Sequence, residues 1–287
     1  MARWLHILLE LTKFRIVLFS TLSAFAGFIL AHRGLSTIMI FPILGLFFLA
    51  SGSCALNQYQ EREDDRRMKR TQSRPLPSER LSPPSALKIA LFLLGLGSSI
   101  LYWSAHWSAL GLGLFAVSWY NGVYTYLKRK TPFSAIPGAL VGSIPPVIGW
   151  ICGKGHPIFD TQILALSFFF FIWQVPHFWL LLLNFEEDYE SSQFPSMIKL
   201  FSSAQLSRIT FIWIFATAST CVIIPLFDVF ESKAIYGGLF LMGCWLIWQS
   251  SKLLFSQSRK VSFTFTFKTF NFYAVIVIAL LALDQLI

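Results

Sequence analysis

The sequence predicts an all-α polytopic membrane protein, a bundle of about nine transmembrane helices. Three observations lead there. Hydrophobic residues make up 55% of the 287 and charged ones only 13%, against about 25% charged in a typical soluble domain. Apolar runs near the length that crosses the hydrocarbon core as a helix recur along the whole chain. Lipid offers backbone groups no hydrogen bonds, so such runs must be helical. One domain over 1–287 is expected, because no polar stretch is long enough to fold around a core of its own.

The expected spans, in order, are 16–32, 37–56, 86–104, 108–127, 135–153, 161–183, 208–227, 233–252 and 268–287. The first opens after Arg15, and MARWLHILLELTKFR before it has no separate cleavable signal or transit-peptide character. The second runs into the charged stretch LNQYQEREDDRRMKRTQSRPLP, Leu56 to Pro77. Pro75, Pro77, Pro83 and Pro84 forbid a continuous helix from there into the third, which Ser85 is expected to cap. The fourth ends in Lys128, Arg129 and Lys130. The fifth contains Pro145 and Pro146 and stops at GKGHP, Gly153 to Pro157, a loop by its Gly and Pro content. The sixth contains WQVPHFW, and the last three carry little beyond their apolarity.

Charge orients the bundle. With the N-terminus inside, internal segments hold 20 of the 23 Lys and Arg residues, and only Arg33, Lys154 and Lys233 fall outside. A cytoplasmic N-terminus in a bacterial inner membrane is therefore expected. The net charge of +9 reads as a basic face against anionic lipid and calls for no nucleic acid. Cys54, Cys152, Cys221 and Cys244 are scattered without a CxxC pair, so buried thiols are expected rather than zinc or disulfides.

The acids gather in two places. Glu61, Glu63, Asp64, Asp65 and Glu79 follow the second span, while Glu186, Glu187, Asp188 and Glu190 follow the sixth. These two loops, near 57–85 and 184–207, are expected on the same, cytoplasmic side of the membrane. On a helix Asn57, Glu61 and Asp65 share one face, with Asp64 at its edge. Acids so spaced repel by about 0.2–0.5 kcal/mol per pair unless a cation sits on them. Magnesium takes oxygen ligands, typically one or two carboxylates plus substrate phosphates. Arg62, Arg66, Arg70 and Arg74 follow nearby, and guanidinium matches phosphate geometry. A solvated charged helix would use the same residues differently, pairing Glu63 with Arg67 and Asp65 with Lys69.

NxxxExxxDxxMxRTxxRPLP, Asn57 to Pro77, resembles the first signature of the UbiA-type intramembrane prenyltransferases. Its MKRTQSRPLP ending is similar to the branch that farnesylates haem b. ELTKFRIV (Glu10–Val17), YTYLKRKTPFSAIPGALVGSIPPVIGW (Tyr124–Trp150) and WQVPHFWLLLLNFEEDY (Trp173–Tyr189) match further family motifs in order. The chain departs at Glu61, where Asp is usual, at Phe14 in place of the proline of TKPR, and at Asn184-xxx-Asp188 in place of a second DxxxD.

The resemblance implies Mg2+ on Asn57, Glu61, Asp65, Glu187 and Asp188, with Asn57, Glu61, Asp65 and Asp188 as catalytic residues. It implies diphosphate contacts from Arg66, Arg70, Lys128, Arg129 and Tyr124. His177 is a haem-side candidate, because a membrane-embedded histidine usually faces the bundle interior and imidazole is a common haem ligand. Trp173, Phe178, Trp179 and Tyr189 are candidate chamber walls, and Gly138 and Gly142 suggest close helix packing. His6, His32, His106 and His156 are given no role. The implied partners are farnesyl diphosphate, haem b, the lipid bilayer, and downstream a haem A synthase or terminal oxidase assembly. A UbiA-type enzyme with an aromatic acceptor would share the diphosphate site. A non-catalytic haem-handling or transport protein stays open from the residues alone, although its ionisable groups would be expected near midplane.

Overall fold

The computed structural model describes residues 2–155, 160–184, 195, 197–227, 232–255 and 259–285. Eight of its helical segments are individually long and apolar enough to cross a membrane, against the nine spans expected. The difference lies in the fourth expected span. There α5 (Trp107–Ser118) passes through one π-helical segment, Trp119–Tyr124, into the short α6 (Thr125–Leu127), so no single helix reaches spanning length.

The chain begins with α1 (Ala2–Leu11), which buries Ile7 and Leu11 and exposes Trp4, Leu5 and Leu8, the pattern of an interfacial helix. The Thr12 hydroxyl donates to the Leu8 carbonyl (2.8 Å) as α1 ends. Lys13 adopts a left-handed backbone (φ 51°) and turns the chain into α2 (Phe14–His32). Next comes α3 (Ile40–Arg67), whose 28 residues extend about 42 Å. The hydrocarbon core is about 30 Å thick, so α3 carries its last turns beyond it. The segment 57–67, expected within a loop, is therefore the end of a helix, and the loop proper begins at Met68. Nothing between Leu56 and Arg67 breaks a helix, and prolines start only at Pro75.

The third expected span is α4 (Pro83–Ser104), and its N-cap is Ser82 rather than Ser85. Pro83 and Pro84 occupy the first turn, where a missing N–H costs nothing. Then come α7 (Ala135–Lys154), α8 (Thr161–Asn184), α9 (Ser203–Ile223), α10 (Lys233–Phe255) and α11 (Arg259–Asp284). A capping box between Ser202 and Gln205 opens α9.

Two seams hold the first half together. Along α2 and α7 the backbones almost touch: a Cβ at Gly149 would lie 1.8 Å from the Ala24 carbonyl oxygen, and one at Gly27 2.1 Å from that of Pro146. Along α3 and α4, Gly52 and Gly97 serve the same purpose. In the second half α9 and α11 pack on α8, α10 packs on α9 and α11, and α11 returns to touch α2. Large apolar side chains such as Trp103 and Leu226 face outward, as lipid-facing surface requires. All four cysteines are free; Cys54 and Cys221 are buried as expected, but Cys244 is on the outer surface.

Candidate active site

The closing of the ring leaves a chamber of about 560 Å³ bounded by α2, α3, α5, the π segment, α7, α8 and α11. Its wall is largely apolar, and Tyr120, Tyr124, Gln174, His177 and Asn271 are among its few polar groups. This is within the usual range for a small-molecule site, which combines an apolar wall with a few placed polar atoms.

At the membrane-surface end of α3 lies a buried ionic cluster beside this chamber. Asn57, Glu61 and Asp65 stack on one face of α3 at 1%, 4% and 1% exposure. Three cations meet them, each from a different part of the chain. Lys13, from the α1–α2 break, donates to Asn57 Oδ1 at 2.5 Å. Lys128, just after α6, contacts Glu61 Oε1 at 2.5 Å. Arg74 folds back from the loop after α3 and reaches Asp65 Oδ2 at 2.7 Å. Thr71, fully buried, donates to the Asp65 carbonyl at 2.8 Å and pins that loop. Burial pulls the Lys13 ammonium below the ordinary lysine value; Arg74 pushes the same way, and Glu61 opposes both.

The π segment shapes the junction between cluster and chamber. Residues five apart on an α-helix diverge, but the wider turn brings Tyr120 and Thr125 to the same side. Asn57 Nδ2 donates to Thr125 Oγ1 (2.9 Å) and to Glu61 Oε1 (2.5 Å), while the Tyr120 hydroxyl donates to Asn57 Oδ1 (3.3 Å). Thr125 in turn donates to the Tyr120 carbonyl at 2.8 Å, closing the wide turn. Tyr120 therefore touches the polar cluster at its hydroxyl and lines the apolar chamber with its ring.

Around the cluster, three cations against two carboxylates leave one positive charge in excess. Lys128 and Asn57 meet Glu61 at Oε1, and Arg74 meets Asp65 at Oδ2. Hard oxygen donors one helical turn apart, set among cations, suit a divalent ion carrying a polyanion. Among the described residues, no group of three or more acidic, His or Cys side chains could hold a metal without such a partner.

The other expected site residues are distributed unevenly. Arg129 is close by but pairs with Asp64 (2.8 Å) at the rim. Arg66 points outward to Glu79 (3.5 Å) and Glu63 (4.0 Å), away from the cluster. Arg70 is half-buried in the loop after α3. Tyr124 sits on the chamber wall, stacked between Tyr120 and Phe178 at centroid distances of 5.6 and 5.8 Å. His177, Trp173 and Phe178 line the chamber, whereas Trp179 packs against Trp213. Glu187, Asp188 and Tyr189 lie outside the described residues. Gly138 and Gly142 make room for side chains rather than for a neighbouring backbone: their Cβ positions fall 2.6 Å from the Tyr124 ring and 1.9 Å from Gln174 Oε1. Spacing marks Arg74 only as one of four arginines in the charged stretch and does not mark Lys13, Tyr120 or Thr125. Lys13 and Arg74 do fall inside the quoted motifs ELTKFRIV and MKRTQSRPLP.

A bundle of membrane helices around a largely apolar chamber, with a charged cluster beside one end, fits an intramembrane enzyme for a substrate that is part polyanion and part apolar chain. Comparison with known proteins agrees. The model of the UbiA prenyltransferase family matches residues 20–276, and the chain belongs to that family. A Geobacter sulfurreducens protein named protoheme IX farnesyltransferase is 36% identical over 225 residues, covering 78% of this chain and 83% of that one. One of the same name from Nitratidesulfovibrio vulgaris is 30% identical and covers 88% and 87%. The fold resembles a digeranylgeranylglyceryl phosphate synthase (TM-score 0.78, 14% identity, 98% of each chain). It also resembles a UbiA homolog from Archaeoglobus fulgidus bound to GPP and Mg2+ (TM-score 0.66, 14% identity, 96% and 98%).

Proposed function

We propose that this membrane prenyltransferase moves the farnesyl group of farnesyl diphosphate onto a vinyl group of haem b, giving haem O. The observation that carries this reading is the join at Tyr120: a cation-rich carboxylate cluster opens directly onto an apolar, aromatic-walled chamber. The names of the relatives supply the acceptor.

The diphosphate head would sit on the cluster and the isoprenoid tail in the chamber. Asn57, Glu61 and Asp65, with Glu187 and Asp188 from the second acidic loop, would hold Mg2+, which supplies charge neutralisation for the leaving diphosphate. Lys13, Lys128 and Arg74, held beside the carboxylates, would stabilise the negative charge that develops as the carbon–oxygen bond breaks, the kind of stabilisation that acts mainly on the transition state. Arg129 and Arg70 would complete the rim. The largely apolar chamber wall, which includes the aromatic side chains of Tyr124, Trp173 and Phe178, would keep water from the allylic cation. The vinyl carbon of the acceptor then bonds to the farnesyl C1, and water adds to the cation left on the porphyrin side chain with loss of a proton. The lysine–arginine bias supports a cytoplasmic position for the cluster, in a bacterial inner membrane.

The test incubates detergent-purified protein with haem b, farnesyl diphosphate and Mg2+ and follows haem plus a hydroxyfarnesyl adduct by mass spectrometry. The adduct is expected, with loss on chelation by EDTA and restoration by Mg2+. Prenylation of an aromatic acceptor and not of haem would overturn the assignment of the acceptor.

A further inference from the structure

One polar pair on the chamber wall lies far from the ionic cluster in sequence and is not used by the diphosphate chemistry. His177 Nδ1 and Asn271 Oδ1 are 2.8 Å apart, joining the middle of α8 to α11. Both residues line the chamber. The Asn271 amide is itself oriented, because its Nδ2 donates to the Phe267 carbonyl one turn back at 2.7 Å. A carbonyl oxygen can only accept, so the NH2 of Asn271 must face it and Oδ1 must face the imidazole. Oδ1 also only accepts, so Nδ1 of a neutral His177 carries the ring proton. The lone pair is then on Nε2, which has no hydrogen-bond partner among the described residues.

The ring is also held in place by packing. Trp173 and Phe267 lie 4.8 and 5.3 Å from its centroid, and Phe178 lies 5.9 Å away edge-on. A histidine fixed through Nδ1 by a side-chain oxygen, with the Nε2 lone pair left for the metal, is how protein metal ligands are commonly presented.

We propose that Asn271 is the positioning residue that locks His177 in its Nδ1–H form, so that Nε2 ligates the iron of the haem acceptor and sets that acceptor's position in the chamber. The proposal rests on the haem reading above and deepens it. Ligation would hold the macrocycle by its centre and leave the peripheral vinyl groups free to reach the allylic carbon. It also makes Asn271, near the middle of the otherwise motif-poor last helix, a residue of acceptor recognition.

The test uses full-length protein in lipid nanodiscs and three variants: Asn271→Leu, Asn271→Asp and His177→Ala. Ferrous haem b and metal-free protoporphyrin IX are each titrated in, and iron–histidine ligation is read by resonance Raman and Soret spectra. The expected result is a histidine-ligated haem in the wild type. Asn271→Leu should weaken haem affinity by about 10–100-fold, the usual range for losing such a supporting partner, yet leave protoporphyrin binding unchanged. Asn271→Asp, which keeps the acceptor oxygen, should restore ligation, and His177→Ala should abolish the iron–histidine signal. Equal weakening of haem and protoporphyrin by Asn271→Leu would reduce Asn271 to packing and overturn the proposal alone. So would a histidine signal that survives His177→Ala. A wild type that converts an aromatic acceptor and binds no haem would overturn the haem reading and this proposal together.

Discussion

Replacing Glu61 by Gln keeps the shape of the side chain and removes one buried charge. Glu61 is 4% exposed and its Oε1 receives both Lys128 Nζ and Asn57 Nδ2 at 2.5 Å. Removing one partner of a buried ion pair costs about 3–5 kcal/mol, chiefly because the other charge is left buried without compensation. Lys128 retains 22% side-chain exposure and can recover some solvation, so the lower end, about 3 kcal/mol, applies. At roughly 2 °C per kcal/mol for a large domain, Glu61→Gln should lower the melting temperature by about 6 °C in magnesium-free detergent. Lys128→Met alone should destabilise for the mirror-image reason, since it leaves the carboxylate short of a cation. The double variant removes both charges and should be more stable than the sum of the single losses predicts, with a coupling of about 2 kcal/mol or more. The assay is thermal unfolding followed by tryptophan fluorescence, with farnesyl transfer measured in parallel and expected to be lost in all three variants. Additivity to within about 0.5 kcal/mol would refute the claim that the pair is buried and coupled.

Three further outcomes follow from the geometry. Gly149→Ala should destabilise the bundle at or above the upper end of the 1–3 kcal/mol range for overpacking, because its Cβ meets the Ala24 carbonyl and neither backbone can yield; thermal unfolding checks this. Gly142→Ala meets only the movable end of Gln174, so the fold should survive while the displaced amide intrudes on the chamber, and kcat/KM for the acceptor should fall about tenfold, equivalent to about 1.4 kcal/mol of transition-state stabilisation. In a background with the four native cysteines replaced, an impermeant maleimide should label Arg33→Cys from outside intact cells and reach Lys130→Cys only after permeabilisation; the reverse pattern would invert the orientation.

Much of the fold was legible in the sequence because one constraint dominates it. A backbone in lipid must satisfy its own hydrogen bonds, so length and apolarity alone mark the helices. Lysine and arginine bias marks a side because charge is expensive to move across. The row Asn57, Glu61, Asp65 was legible for the same local reason, since residues four apart on a helix share a face. What spacing does not contain is which distant residues complete that row. Arg66 and Arg74 look alike in the charged stretch, yet the first points outward to Glu79 and the second turns inward to Asp65. Only the fold of the loop after α3, pinned by Thr71, separates them.

The sequence by itself determined a helical membrane protein and a row of Asn57, Glu61 and Asp65 on one helical face, because those depend on local periodicity and on solvent. The tertiary structure decided the rest. It brought Lys13, Lys128 and Arg74 from three segments onto one helical face, widened one turn so that Tyr120 and Thr125 meet Asn57, and set Asn271 against His177 across 94 residues. Those contacts depend on how helices close into a ring, and a side chain's partner across that ring leaves no periodic trace along the chain.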